Sequence, residues 1–165
     1  MRRAPFRSRL SNLLGLGLMA SVACSLVTAT PAPAGAVVLP NPCSLAPARL
    51  VAPALGVLGT VRGALKATRE DGLPREDCVF THSSVYDEVS VAPAAFGEGG
   101  SGGPPGMVSS HPSGLGPQGV FVYDLKPVFA NAHFIKGGLW GLAFSNAPVA
   151  PSTVLALGRY VYAHL

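Results

Sequence analysis

The stretch Val128-Phe129-Ala130-Asn131-Ala132-His133-Phe134-Ile135-Lys136-Gly137-Gly138-Leu139-Trp140-Gly141-Leu142-Ala143-Phe144-Ser145 decides how the chain is read. Two runs rich in β-branched, aromatic and apolar residues flank a Gly-Gly pair. That is the signature of a tight hairpin, because a two-residue turn needs central residues that accept positive φ. In the second run Trp140, Leu142 and Phe144 alternate onto one face, the period of a strand. Beyond it, Pro151 opens a segment in which Val154, Leu157, Gly158, Val161 and Leu165 form one stripe at helical spacing.

Working back toward the N-terminus, Val120-Phe121-Val122-Tyr123 reads as another strand. Residues 97–106 hold six glycines and two prolines in ten positions, the composition of a flexible surface loop. Upstream, Cys78-Val79-Phe80-Thr81 and Val85-Tyr86-Asp87-Glu88-Val89-Ser90-Val91 read as a hairpin around His82-Ser83-Ser84. Val85, Val89 and Val91 share the inner face, and Glu88 and Ser90 are expected to face water. Residues 57–77 turn polar, ending in Arg69-Glu70-Asp71-Gly72 and Arg75-Glu76-Asp77, and are expected to be a solvated connection with room for one helical turn. Residues 45–56 read as a helix with Pro47 in the first turn, Gly56 as the stop, and Leu50, Ala54 and Leu55 on one face. Pro53 should kink or shorten it, since proline removes a hydrogen bond. Helix, antiparallel strands, helix gives an α+β class: a sheet of about five strands with the N- and C-terminal helices on one face, in one domain over 37–165.

The first 36 residues read differently. Arg2, Arg3, Arg7 and Arg9 precede an apolar run over 13–27, and a small-residue segment ends Ala34-Gly35-Ala36. Basic, apolar and small-x-small regions in that order are the parts of a secretory signal. The apolar run is shorter than the roughly 20 residues of a spanning helix. Cleavage after Ala36 is therefore expected, with Ala34 and Ala36 offering the small side chains that a signal peptidase accepts. Cys24 leaves a second route open, lipidation and cleavage just before it. Arg2-Arg3 is not followed by a twin-arginine pattern, so Sec-type export is the expectation.

Removing the signal changes the electrostatics. The whole chain has 12 Lys and Arg against 8 Asp and Glu, but four of the arginines lie in the signal, so residues 37–165 are neutral. No basic patch then argues for nucleic acid or an anionic membrane. Two of the three cysteines, Cys43 and Cys78, remain in a compartment where disulfides persist, and a bridge between them is the simplest reading. The four histidines, His82, His111, His133 and His164, show no metal-ligand spacing, so neither a metal nor a cofactor is expected.

Several motifs fail on context. Gly99-Gly100-Ser101-Gly102-Gly103 matches a nucleophile elbow in letters, but glycine and proline flank it where a strand and a helix are required. Residues 97–102 and 114–119 both spell GxGxxG, yet neither opens a helix that would cradle a pyrophosphate. Ser109-Ser110-His111 sets hydroxyls beside an imidazole without an acid. His133, with Asn131, is expected on the outer face of its strand beside Phe129 and Ile135, and Trp140 and Tyr123 are candidates for the floor of a pocket between sheet and helix.

The landmarks Asn41-Pro42-Cys43, Leu55-Gly56, Cys78-Val79-Phe80, Gly114-Leu115-Gly116, Gly137-Gly138 and the apolar 154–165 segment line up with one family. The chain resembles the actinobacterial secreted and lipoprotein domain of unknown function numbered thirty-five fifty-eight. The motifs are short but span nearly all of residues 37–165. Phe80 stands where that family usually has Trp, and Pro117 where it often has an acid. The resemblance implies a Cys43–Cys78 disulfide and a cell-envelope location, and it carries over no catalytic residues. The expected function is an exported, non-catalytic domain that binds or senses a ligand or an envelope partner as a monomer, without inserting in the membrane. Two other classes are a small secreted serine hydrolase using Ser101 or Ser110 with a histidine, and a structural or interaction protein.

Overall fold

The computed structural model describes residues 37–97, 107–125 and 128–165. Residues 1–36, with Cys24 and the expected cleavage residues Ala34 and Ala36, and residues 98–106 of the glycine-rich loop with Ser101 lie outside the described residues.

β6 (Val128–Lys136) and β7 (Leu139–Ser145) pair antiparallel up to Lys136↔Leu139. Gly137 and Gly138 close the turn at φ 59° and 80°, the left-handed values that a two-residue hairpin demands. Around this hairpin runs a seven-stranded, wholly antiparallel sheet, not a five-stranded one. The further strands are β1 (Gly63–Glu70), β2 (Leu73–His82), β3 (Val85–Pro93), β4 (Val108–Ser110) and β5 (Val120–Leu125), and the order is β1-β2-β3-β7-β6-β5-β4. α1 (Ala48–Leu55) and α2 (Pro151–His164) touch each other and cover the same side of the sheet.

The two extra strands are instructive. Residues 57–77 are not a solvated connection: β1 and the first half of β2 pair there without a break, from Gly63↔Phe80 to Glu70↔Leu73. Every residue of β1 is exposed, so its side chains carry no burial pattern. Its stability comes from the backbone ladder and from the ions of the turn. β4 is three exposed residues at the opposite edge.

One row of side chains fixes the core. Cys78, Val89, Ala143, Ala132 and Phe121 stand side by side across β2, β3, β7, β6 and β5 on the helix-covered face, and all are buried. Val154, Leu157, Gly158 and Val161 of α2 lie buried over them, as the stripe predicts. α1 is shorter than expected. Pro47 is its N-cap, Gly56 ends it at φ 69°, and Pro53 sits exposed within its last turns. Its buried residues are Val51, Ala52, Ala54 and Leu55, with Leu50 at the margin of that face.

Cys43 and Cys78 form the expected disulfide, 35 residues apart. An Asx turn presents Cys43, whose N–H donates to Asn41 Oδ1 at 2.9 Å. Closing a ring of this length is worth about 4 kcal/mol on the loop-entropy view.

Candidate functional site

The side of the sheet away from the helices is the more unusual one. Alternation sends Trp140, Leu142 and Phe144 of β7 to this outer face, together with Asn131 and His133 of β6, Val120 and Val122 of β5, and Glu88 and Ser90 of β3. Trp140 and Tyr123 therefore do not floor a common pocket: Tyr123 pairs with Ala130 and packs against the core on the helix side. The 3-10 turn Ala94–Gly97 folds back so that Phe96 meets Trp140 with ring centroids 4.8 Å apart. At the other end of β7, Phe144 lies 5.2 Å from the Tyr86 ring and 6.3 Å from the Phe129 ring. A cleft of about 350 Å³ opens beside Tyr86, bordered by Lys66, Ser83, Ser84 and Glu88.

Between these aromatic groups lie two buried polar atoms. Asn131 Oδ1 and His133 Nε2 have no hydrogen-bond partner among the described residues. His133 stands between Leu142 and Val120, and Asn131 between Phe144 and Val122. Burial holds the His133 imidazole below its ordinary value, in the neutral form. The expected position of His133, on the outer face with Phe129 and Ile135, is correct.

Glu88 and Ser90 do not face water. Arg75 of β2 gathers them into a half-buried ion cluster. Its Nε donates to Asp77 Oδ1 at 2.5 Å, its Nη1 to Glu70 Oε2 at 3.4 Å, and its Nη2 to both Glu88 Oε1 and Ser90 Oγ. Ser90 Oγ donates to Glu88 Oε1 at 2.7 Å, and Thr68 Oγ1 to Asp77 Oδ2 at 3.3 Å. The guanidinium also lies 5.5 Å from the Phe96 ring centroid and 5.8 Å from that of Trp140. Burial works against the Arg75 charge, but the bond to Asp77 and the charges of Asp77, Glu88 and Glu70 outweigh it and raise the group above its ordinary value. The cluster ties the β1–β2 hairpin to β3 and to the aromatic end of the outer face. Among the described residues no group of three His, Cys, Asp or Glu is arranged to hold a metal.

The chain matches no family model, no curated protein and no solved structure.

Ser109 and Ser110 lie exposed on β4. His111 Nδ1 sits 3.0 Å from the Gly119 carbonyl, and no hydrogen bond joins it to either serine among the described residues. Residues 114–119 do run into a strand without opening a helix. Gly114 and Gly116 take φ 86° and 74° and drive Leu115 fully into the core, while Arg159 Nε holds the Ser113 carbonyl at 2.8 Å. That GxGxxG match is a plug under α2.

On the helix side one group stands out. Asp87 is 0 % exposed, opposite Ser145 of β7 and Phe80 of β2, and neither carboxyl oxygen has a hydrogen-bond partner among the described residues. Burial pushes its carboxyl up to about 7; a hydrogen bond donated by Ser145 would pull the other way, but the Ser145 hydroxyl points to the Ala54 carbonyl at 2.9 Å. Its position among Val85, Val89 and Val91 is legible in the alternation of β3, as an acid in an apolar register.

Proposed function

We propose that this chain is an exported, non-catalytic binding domain of the cell envelope, with the outer face of the sheet as its binding surface. The observation that carries the reading is the pair Asn131 Oδ1 and His133 Nε2, buried among aromatic and aliphatic side chains without partners among the described residues. Buried polar groups are ordinarily hydrogen-bonded, and an apolar surface with a few converging polar atoms is the usual make-up of a small-molecule site. The disulfide supports an oxidising compartment, in keeping with the signal over 1–36. Among the described residues no helix is long and apolar enough to cross a membrane. The resemblance to the actinobacterial secreted and lipoprotein family points the same way.

Native mass spectrometry of the exported protein tests this reading. A small molecule that denaturation releases, and that an Asn131→Leu/His133→Leu variant of equal stability lacks, is the expected result. Loss of residues 1–36 in the intact mass checks export, and a diacylglycerol on Cys24 marks the anchored form. Labelling of any serine by a serine-directed phosphonate would replace the reading with a hydrolase.

A further inference from the structure

Proton accounting around Asp87 leads beyond the outer face. The Ser145 hydroxyl has one proton, and it donates that proton to the Ala54 carbonyl at the end of α1, at 2.9 Å. The same oxygen accepts from the Ala147 N–H at 3.1 Å. What Ser145 has left to offer Asp87 across the β3–β7 pair is a lone pair. A carboxylate at Asp87 finds no donor there; a carboxylic acid finds an acceptor.

The surroundings reinforce this. α1 ends over β3 and β7, and the negative end of its dipole is the end at Ala54. Among the described residues no cation is paired with Asp87. On β2 the titratable groups of this face are Glu76, opposite Val91, and His82, exposed at the strand end. β7 and residues 146–150 contribute none. The one charged residue of α1, Arg49, is exposed and lies over the Tyr160 ring, and Arg62 in the following connection is exposed. On α2, Arg159 is held by Ser113, Tyr160 stacks on His164, and Tyr162 packs against Phe134. Among the described residues none of these forms an ion pair or hydrogen bond with Asp87.

We propose that Asp87 is a proton-dependent latch: as a neutral acid it completes an Asp87–Ser145–Ala54 hydrogen-bond chain that holds the end of α1 on the sheet, and its ionisation loosens α1 and the connection over 57–62. That connection, with Thr81 and His82, lines a cleft of about 570 Å³. The cleft is the surface whose shape the latch would control. The inference stands on the helix side and does not depend on the outer face being a binding surface.

The experiment is a carbon-13 NMR titration of the Asp87 carboxyl in the disulfide-bonded domain, with amide hydrogen exchange recorded from pH 5 to 9. The expected midpoint lies in the neutral range. After correction for intrinsic rates, exchange at the Gly56 and Val57 amides should rise by up to tenfold per pH unit toward neutrality and then level off, since the opened state ionises at the ordinary aspartate value. Ala132 and Ala143 in the sheet centre should stay slower throughout. In Asp87→Asn the Gly56 and Val57 profiles should be flat. A carboxyl midpoint near 4, exchange at α1 equal to that of the sheet centre, or a pH profile retained in Asp87→Asn would each overturn the latch. Should that variant not fold, the titration of the unaltered protein still decides.

Discussion

Gly158 of α2 and Ala132 of β6 meet so closely that a Cβ on Gly158 would lie 2.5 Å from the Ala132 Cβ. The helix rests on the sheet through a glycine set over two alanines, Ala132 and Ala143. Gly158→Ala therefore brings two effects into opposition. Helix propensity gains about 1 kcal/mol, whereas backbone displacement in a close-packed core costs about 1–3 kcal/mol. We expect the second to win, with a net loss of about 1–2 kcal/mol in urea unfolding, because the obstructing atom is a β-carbon fixed to a strand and cannot swing aside.

Arg75→Ala should cost about 2–4 kcal/mol, since it leaves Asp77 and Glu88 half-buried without their counter-ion. Arg75→Lys should recover less than half of that. An ammonium cannot reach Asp77, Glu70 and Glu88 at once while also lying near both the Phe96 and Trp140 rings. Urea midpoints of the two variants, compared with Trp140 fluorescence, check both statements.

Replacing Cys43 and Cys78 together by alanine should lower stability by up to about 4 kcal/mol. The loss should appear as a lower urea midpoint, and reducing agent should then have no further effect on the variant.

His133 predicts an acid-side weakness. Its folded-state value is depressed below the ordinary 6.5, so the unfolded chain takes up a proton that the folded chain resists. This contribution to stability is fully present above 6.5 and is lost as pH falls through the folded-state value. His133→Gln, which cannot charge, should show a smaller loss of urea stability below pH 6.5 than the parent protein. Equal slopes in the two proteins would show that burial does not hold the ring neutral.

How much of this was legible in the sequence depends on where burial leaves a mark. The β6–β7 hairpin and α2 could be read directly, because Gly137-Gly138 and the stripe from Val154 to Val161 each answer to a single local rule. β1 could not be read: all eight of its residues are exposed, and a strand without a buried side has no alternation to detect. The charges of residues 73–77 looked like solvent-facing groups, yet Arg75 and Asp77 are parts of an ion cluster whose other members come from β1 and β3. The alternation in β7 was visible, but not which face the helices would take. The close approach of α2 settles that: Gly158 needs Ala132 and Ala143 beneath it, and Gly141 leaves room for the Phe134 ring, so the larger Trp140, Leu142 and Phe144 are left on the outer side. For the same reason a pocket between Trp140 and Tyr123 does not form. Asp87 stands in the apolar register of β3, where only Val85, Val89 and Val91 were expected to face inward; the commitment of the Ser145 proton to Ala54 leaves no local signal, because it joins residues 91 positions apart.

The Cys43–Cys78 bond also sets how the domain would respond to force. Tension applied to the chain before Cys43 crosses the sulfur pair and enters the sheet at the middle of β2. The covalent path bypasses residues 44–77, so α1, its connection and β1 carry no load. A domain tethered by its leader and pulled from its C-terminal half would transmit that pull through β2, β3 and β7, while the segment under the control of Asp87 stays mechanically slack.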